Sequence, residues 1–262
     1  MSQVSDQDHK IKCFKAYDIR GKVPSQLNEV IAFRIGIAIA KYLNASAVVV
    51  GYDIRPTSPQ LVEALSRGIT HQGAEVIDIG FCGTEEIYFA TNDLHTDGGI
   101  MVTASHNPSD YNGMKIVGRE AKPISMDSGL AEIKDLAENL TEKPSEGELI
   151  TTKKNIRKNY LNKVLSFVDT TELEALKILV NAGNGCAGPV IDAMEDLLPF
   201  EFHKINHPPD GSFPNGIPNP LLPENRSVTA KAVVELGADL GIAWDGDFDR
   251  CFFFDENGQF ID

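Results

Sequence analysis

Long apolar runs are missing from this sequence. No stretch approaches the ~18 apolar residues of a membrane-spanning helix, so no membrane span is expected. Paired cysteines are missing as well. Cys13, Cys82, Cys186 and Cys251 are scattered, with no CxxC pair and no metal-like spacing. That argues against a disulfide framework or a thiolate metal site and fits reduced thiols in the cytosol. Positive charge is scarce: 24 Lys and Arg face 38 Asp and Glu, for a net charge of −14. So acidic a surface argues against nucleic acid, whose phosphates need a basic patch. An acidic protein that handles phosphorylated substrates must gather its cations locally or hold a metal ion. The opening MSQVSDQDHK lacks an apolar h-region, so no signal peptide and a cytoplasmic location are expected.

What is present is alternation. A length of 262 residues is comfortable for two domains. Helix-period segments at 27–43, 58–73 and 84–94 alternate with strand-like runs at 47–53, 74–80 and 98–104. Ser58 reads as an N-cap with Pro59 at the first helical position, and Gly73 as the stop. The polar stretch 141–154 has no apolar period and reads as a linker. The alternation then restarts: helix 155–168, strand 176–182, helix 189–198, strand 200–205, a Pro-rich loop, a helix near 224–237 and a strand at 239–245. CFFFDENGQFI reads as a strand with an Asn-Gly turn. The expected fold class is α/β, as two consecutive domains, 1–150 and 151–262, with mixed, largely parallel sheets flanked by helices. GIMVTAS and GIAWDGD both place a polar loop after an apolar strand, a hint of two related units.

Four stretches carry candidate chemistry. In VTASHNPSDYNGMK, Ser105 and His106 follow a strand end, where open α/β sheets bind ligands. Ser, Asn and Pro also make ordinary turns, and the residues alone leave both readings open. Lys115, in the strand-like GMKIVG, is either a site residue or a solvated lysine. In WDGDFDR, Asp245, Asp247 and Asp249 alternate beside Arg250 after an apolar strand. Three carboxylates so close repel one another unless a cation sits among them, and hard oxygen ligands favour Mg²⁺. An EF-hand loop would need Gly where Arg250 stands. In FKAYDIRG, Arg20 is a candidate phosphate clamp, because guanidinium pairs bidentately with phosphoryl oxygens. GYDIRPTS offers Arg55 as a second. GNGCAG, 183–188, matches the dinucleotide fingerprint. No acidic residue ends the next strand to take a ribose, so nicotinamide or flavin binding is not expected.

In this order, FKAYDIRG, TASHNP, NGMK, NPLLPEN and DGDFDR resemble the α-D-phosphohexomutase superfamily, and most of all its bacterial phosphomannomutase/phosphoglucomutase group. The resemblance runs over essentially the whole chain and implies the first two of four domains: domain I with the serine loop and domain II with the metal loop, the chain stopping at the crossing into a third. It implies interconversion of mannose 6-phosphate and mannose 1-phosphate through a bound hexose 1,6-bisphosphate. Ser105 would be the phosphoserine. Asp245, Asp247 and Asp249, with a phosphoserine oxygen, would hold one Mg²⁺. Arg20 and Arg250 would neutralise phosphate, Lys115 would assist the developing charge or shuttle a proton, and His106 would support the serine loop. The partner implied is a phosphorylated hexose. Other hexose specificities of the superfamily, a Mg²⁺-dependent phosphatase with Asp245 as nucleophile, and a non-catalytic phosphosugar- or cation-binding module are the rival readings.

Overall fold

The structure, a computed structural model, describes residues 10–144 and 149–262. Its first sheet contains β1 (Ile19–Lys22), β2 (Ala47–Tyr52), β3 (Glu75–Phe81), β4 (Gly98–Val102), β5 (Tyr111–Gly118) and β6 (Thr151–Lys153), in the order β1-β5-β4-β2-β3-β6. The second contains β7 (Lys177–Asn181), β8 (Glu201–Ile205), β9 (Leu240–Trp244), β10 (Cys251–Phe254) and β11 (Phe260–Ile261), in the order β11-β10-β9-β7-β8. Both sheets are parallel in the middle and antiparallel on one side: β5 runs against β4, and β10 against β9. The hint of two related units thus has a structural counterpart. β2, β3, β4 and β5 correspond in order and direction to β7, β8, β9 and β10.

Helices α1 (Glu29–Leu43), α2 (Ser58–His71), α3 (Thr84–Asp93) and α4 (Leu130–Glu138) cover the first sheet, and α5 (Arg157–Leu165), α6 (Ala187–Met194) and α7 (Ser227–Leu236) accompany the second. α1 begins where Asn28 Oδ1 accepts the Ile31 N–H at 3.0 Å and ends at Asn44 in the left-handed region. Residues from α1, α2 and α4 pack with Val48, Val50, Ile100 and Val102 into the largest core. Residues from α3 close the other face over Val49 and Met101. The strands therefore read as continuous apolar runs because both of their faces are covered. α1 and α2 cross at Gly36 and Gly68: a Cβ on Gly68 would lie 2.0 Å from the Phe33 carbonyl oxygen. Among the described residues no helix is long and apolar enough to cross a membrane, and all four cysteines are free.

Two local readings change. Ser58 is the first residue of α2 rather than its cap, and its hydroxyl donates to Asp53 Oδ1 at 2.7 Å. The buried carboxylate takes the hydroxyl as a donor, whereas a helix cap would use the same oxygen as the acceptor of a backbone N–H. The stretch 141–154 is not all linker. Residues 145–148 lie outside the described residues, but Thr151–Lys153 form β6, parallel to β3 at the sheet edge. All three are exposed, so no apolar period marked them.

Candidate active site

The β4–β5 and β9–β10 loops leave their sheets at equivalent places, where a parallel strand hands over to an antiparallel neighbour, and they meet. The first carries Ser105, the second Asp245, Asp247 and Asp249. Each loop holds one non-glycine residue in the left-handed region, Ser105 at φ 49° and Phe248 at φ 47°, a conformation few L residues adopt. The contact is close. A Cβ on Gly246 would lie 2.7 Å from the Ser105 carbonyl oxygen, and one on Gly83 2.1 Å from the Phe248 ring.

Ser105 is 2% exposed, and its hydroxyl donates to Asp245 Oδ2 at 2.6 Å. Arg250 Nη2 donates to the same hydroxyl oxygen at 2.6 Å and to Asp245 Oδ2. It also lies 2.5 Å from His106 Nδ1, which requires a lone pair on that nitrogen. Burial, then the Arg250 and Arg20 guanidinium groups, push the His106 pKa down, so the ring is neutral near pH 7. Strand β5 brings Lys115 opposite Met101 of β4. Its Nζ donates to Asp247 Oδ2 at 2.7 Å and Asp249 Oδ2 at 2.5 Å. Burial opposes the Lys115 charge, but Asp247 and Asp249 outweigh it and raise the pKa, so the ammonium is kept. Strand β1 sets Arg20 opposite Gly113. Its guanidinium pairs with Asp18 and reaches Asn107 Oδ1 of the serine loop at 3.2 Å.

Asp245 and Asp247 are wholly buried. Burial and the neighbouring charge of Asp247 raise Asp245 above the usual carboxylate range. Burial would raise Asp247 too, but Lys115 and Thr84 outweigh it and hold its carboxyl below that range. Ligand oxygens from Asp245, Asp247 and Asp249 lie within 4.8 Å of one another. Oδ1 of Asp247 and Oδ1 of Asp249 are buried without a hydrogen-bond partner. An all-oxygen set with two orphaned carboxylate oxygens fits a hard divalent cation such as Mg²⁺.

The structure thus gathers Ser105, His106, Lys115, Arg250 and the three aspartates within direct contact, with Arg20 joined through Asn107. One contributor was not read from the sequence, and one candidate changes its role. Thr84, first residue of α3, donates through Oγ1 to Asp247 Oδ2 at 2.7 Å and through its N–H to the Asp247 carbonyl at 3.0 Å. Its place after a strand and Gly83 was the available signal. Arg55 is not a free phosphate clamp, since it is 1% exposed and its donors are spent on the protein.

Residues 12–144 match the family model for phosphoglucomutase/phosphomannomutase alpha/beta/alpha domain I, and residues 158–258 match that for domain II. Among curated relatives, a protein of Xanthomonas campestris named phosphohexose mutases is 58% identical over 252 residues, covering 96% of this chain and 56% of its own length. A phosphomannomutase of Salmonella typhimurium is 55% identical over 260 residues, covering 97% and 57%. Among solved structures, a phosphoglucomutase/phosphomannomutase family protein of Burkholderia thailandensis superposes with a TM-score of 0.85 at 33% identity, covering 95% of this chain and 56% of that one. The chain spans little more than half the length of these relatives. With both domain models matched across most of its residues, the chain belongs to the phosphoglucomutase/phosphomannomutase family.

Proposed function

We propose that this chain contributes the phosphoserine and metal loops of a phosphomannomutase, which interconverts mannose 6-phosphate and mannose 1-phosphate through a bound hexose 1,6-bisphosphate. The observation that carries the reading is the junction of Ser105, Asp245 and Arg250 between the two sheets. The mannose preference is supported by the relatives' names. The division into 1–150 and 151–262 belongs to the same proposal and is supported by the two separate sheets, with β6 just past the division lending three residues to the first.

In this reading the bond from Ser105 Oγ to phosphorus breaks as the free hydroxyl of the hexose monophosphate bonds to that phosphorus, and the proton this hydroxyl gives up ends on Ser105 Oγ, which is left as the neutral serine. The bisphosphate turns over and returns its other phosphoryl group to Ser105 Oγ; the serine proton, hydrogen-bonded to Asp245 Oδ2, is released as the new bond forms and ends on the sugar oxygen that the phosphoryl group leaves. Such a loose transfer needs positioning and charge neutralisation more than covalent assistance. Arg250 steadies the negative charge that grows on Oγ as the bond to phosphorus breaks. His106, neutral, accepts from Arg250 and fixes the guanidinium. Lys115 offsets Asp247 and Asp249 and supplies a protonated ammonium beside the reacting centre. Arg20 faces the same loop as a phosphate clamp. Mg²⁺ held by Asp245, Asp247 and Asp249, with an oxygen of the phosphoserine, would draw charge off the phosphoryl group.

The test is direct. The chain, treated with glucose 1,6-bisphosphate and Mg²⁺, gains one phosphate, and peptide mass mapping finds it on Ser105. Phosphate on an aspartate, or uptake undiminished in Ser105→Ala, overturns the reading.

A further inference from the structure

Arg55, in the turn between β2 and α2, heads the largest fully buried side chains. A guanidinium has five N–H donors, and here every one is used. Nε donates to Asp53 Oδ2 at 3.2 Å. Nη1 donates to the carbonyls of Pro108 and Tyr111 at 2.6 and 3.0 Å. Nη2 donates to those of Ser105 and Asn107 at 2.9 and 2.6 Å. Four of these acceptors lie within residues 105–111, the serine loop and the first residue of β5. Asp53 closes a circuit from the other side. It accepts the Thr103 hydroxyl at 2.8 Å, and Thr103 Oγ1 in turn accepts the Ser105 N–H at 2.8 Å. One buried ion pair therefore grips Ser105 at both its carbonyl and its N–H. From the second unit, the Phe213 ring stacks 5.4 Å from the guanidinium carbon.

Ser105 needs such a grip. Its φ of 49° is sparsely populated for a residue with a Cβ and persists only where the surroundings over-determine it. In a trans peptide the N–H lies opposite the carbonyl, so holding the Ser105 carbonyl on Arg55 turns the His106 N–H away from it. A buried ion pair is in itself a weak source of stability, because desolvation cancels much of the attraction. Its use here lies in geometry.

We propose that Arg55 is a positioning residue for phosphoryl transfer at Ser105. With Asp53 and Thr103 it fixes the serine loop so that Oγ meets Asp245 and Arg250 across the junction. This rests on the function proposed above. The test compares wild type, Arg55→Lys and Thr103→Val by three measurements: amide hydrogen exchange of peptides spanning 105–111, the rate of phosphate uptake on Ser105 from glucose 1,6-bisphosphate, and thermal unfolding. Lysine keeps the charge but loses the fork that reaches four carbonyls. In Arg55→Lys, loop exchange rises about tenfold or more while the core amides stay protected. Uptake slows by about 10²-fold, as a misplacement near 1 Å does.

A variant whose unfolding midpoint falls while loop exchange and uptake below that midpoint stay at the wild-type level makes Arg55 a stabilising residue only and overturns the proposal. Should Arg55→Lys fail to fold, Thr103→Val decides. It deletes the bridge from Asp53 to the Ser105 N–H and leaves Arg55 in place, and unchanged loop exchange there overturns the proposal equally. If wild type takes no phosphate on Ser105, the mutase reading fails. The loop-exchange comparison then judges the grip alone: selective loosening upholds it, and no loosening removes it.

Discussion

Ser105 Oγ donates to Asp245 Oδ2 over 2.6 Å, although 140 residues separate the two and each belongs to the loop of a different sheet. The site is therefore a property of how two units dock. Each unit alone carries unbalanced chemistry: the first brings Ser105 with Lys115 and Arg20 on its strands, the second three aspartates beside one arginine. Docking supplies Lys115 to Asp247 and Asp249, and Asp245 to the Ser105 hydroxyl.

That balance makes Lys115 a competitor for any cation that enters. Lys115→Met removes the ammonium from Asp247 and Asp249 and leaves their charges facing one another, which lowers stability in metal-free buffer. A ligand that binds only the folded state stabilises it by mass action. The rise in melting temperature on adding Mg²⁺ is accordingly larger in Lys115→Met than in wild type, and smaller in Asp247→Asn. Differential scanning calorimetry with and without Mg²⁺ checks this. Equal shifts in all three proteins would take the aspartate loop out of the metal site.

Gly83 sits at the contact between the units. Its φ of −105° strains no residue, so the demand for glycine is steric. An added Cβ would lie 2.1 Å from the Phe248 ring of the aspartate loop. Gly83→Ala pushes that loop off Thr84, with a loss of about 1–3 kcal/mol, the usual cost of overpacking. Phe248→Leu in the same chain makes room and recovers part of it, so a double-mutant cycle in urea shows favourable coupling. Strict additivity would mean that the two residues do not meet in solution.

The strand ends were legible because both covered faces of each central strand are apolar and the change to polar residues is abrupt. DGDFDR was legible because like charges at such spacing need a counter-ion whatever the fold. Thr84 was not, since its role depends on Asp247, 163 residues away. Arg55 stands in a turn where an exposed arginine is the ordinary case. Nothing local says that it folds inward onto carbonyls 50 to 56 residues on. Ser58 fitted a helix cap by its neighbours and instead serves Asp53. Thr84 and Arg55 depend on buried partners from distant segments and Ser58 on the burial of a carboxylate five residues before it, which residue type and period do not encode.

Glu86 and Arg157 give a pH-dependent handle on the docking. Arg157 of α5 lies 2.8 Å from Glu86 Oε1 on α3, with the glutamate 1% exposed and the arginine 20% exposed. Glu86 Oε2 also accepts the Gly83 N–H at 3.1 Å and so caps the helix that presents Thr84. Burial raises the Glu86 pKa above its ordinary value, with Arg157 and the Gly83 N–H opposing. A raised carboxyl contributes stability that is fully present below the unfolded pKa of about 4.3 and is lost as pH rises through the folded value. Arg157→Met removes the main opposing charge, so the folded pKa climbs further and the loss at high pH deepens. The variant is expected to be less stable than wild type by about 2–4 kcal/mol at pH 8, near the range for a buried carboxylate stripped of its partner. The deficit narrows as pH falls toward about 4–5, where the glutamate is protonated in the folded variant. Urea melts of both proteins across that range measure it. A deficit that stays constant with pH would show that Arg157 acts there by packing and not by its charge.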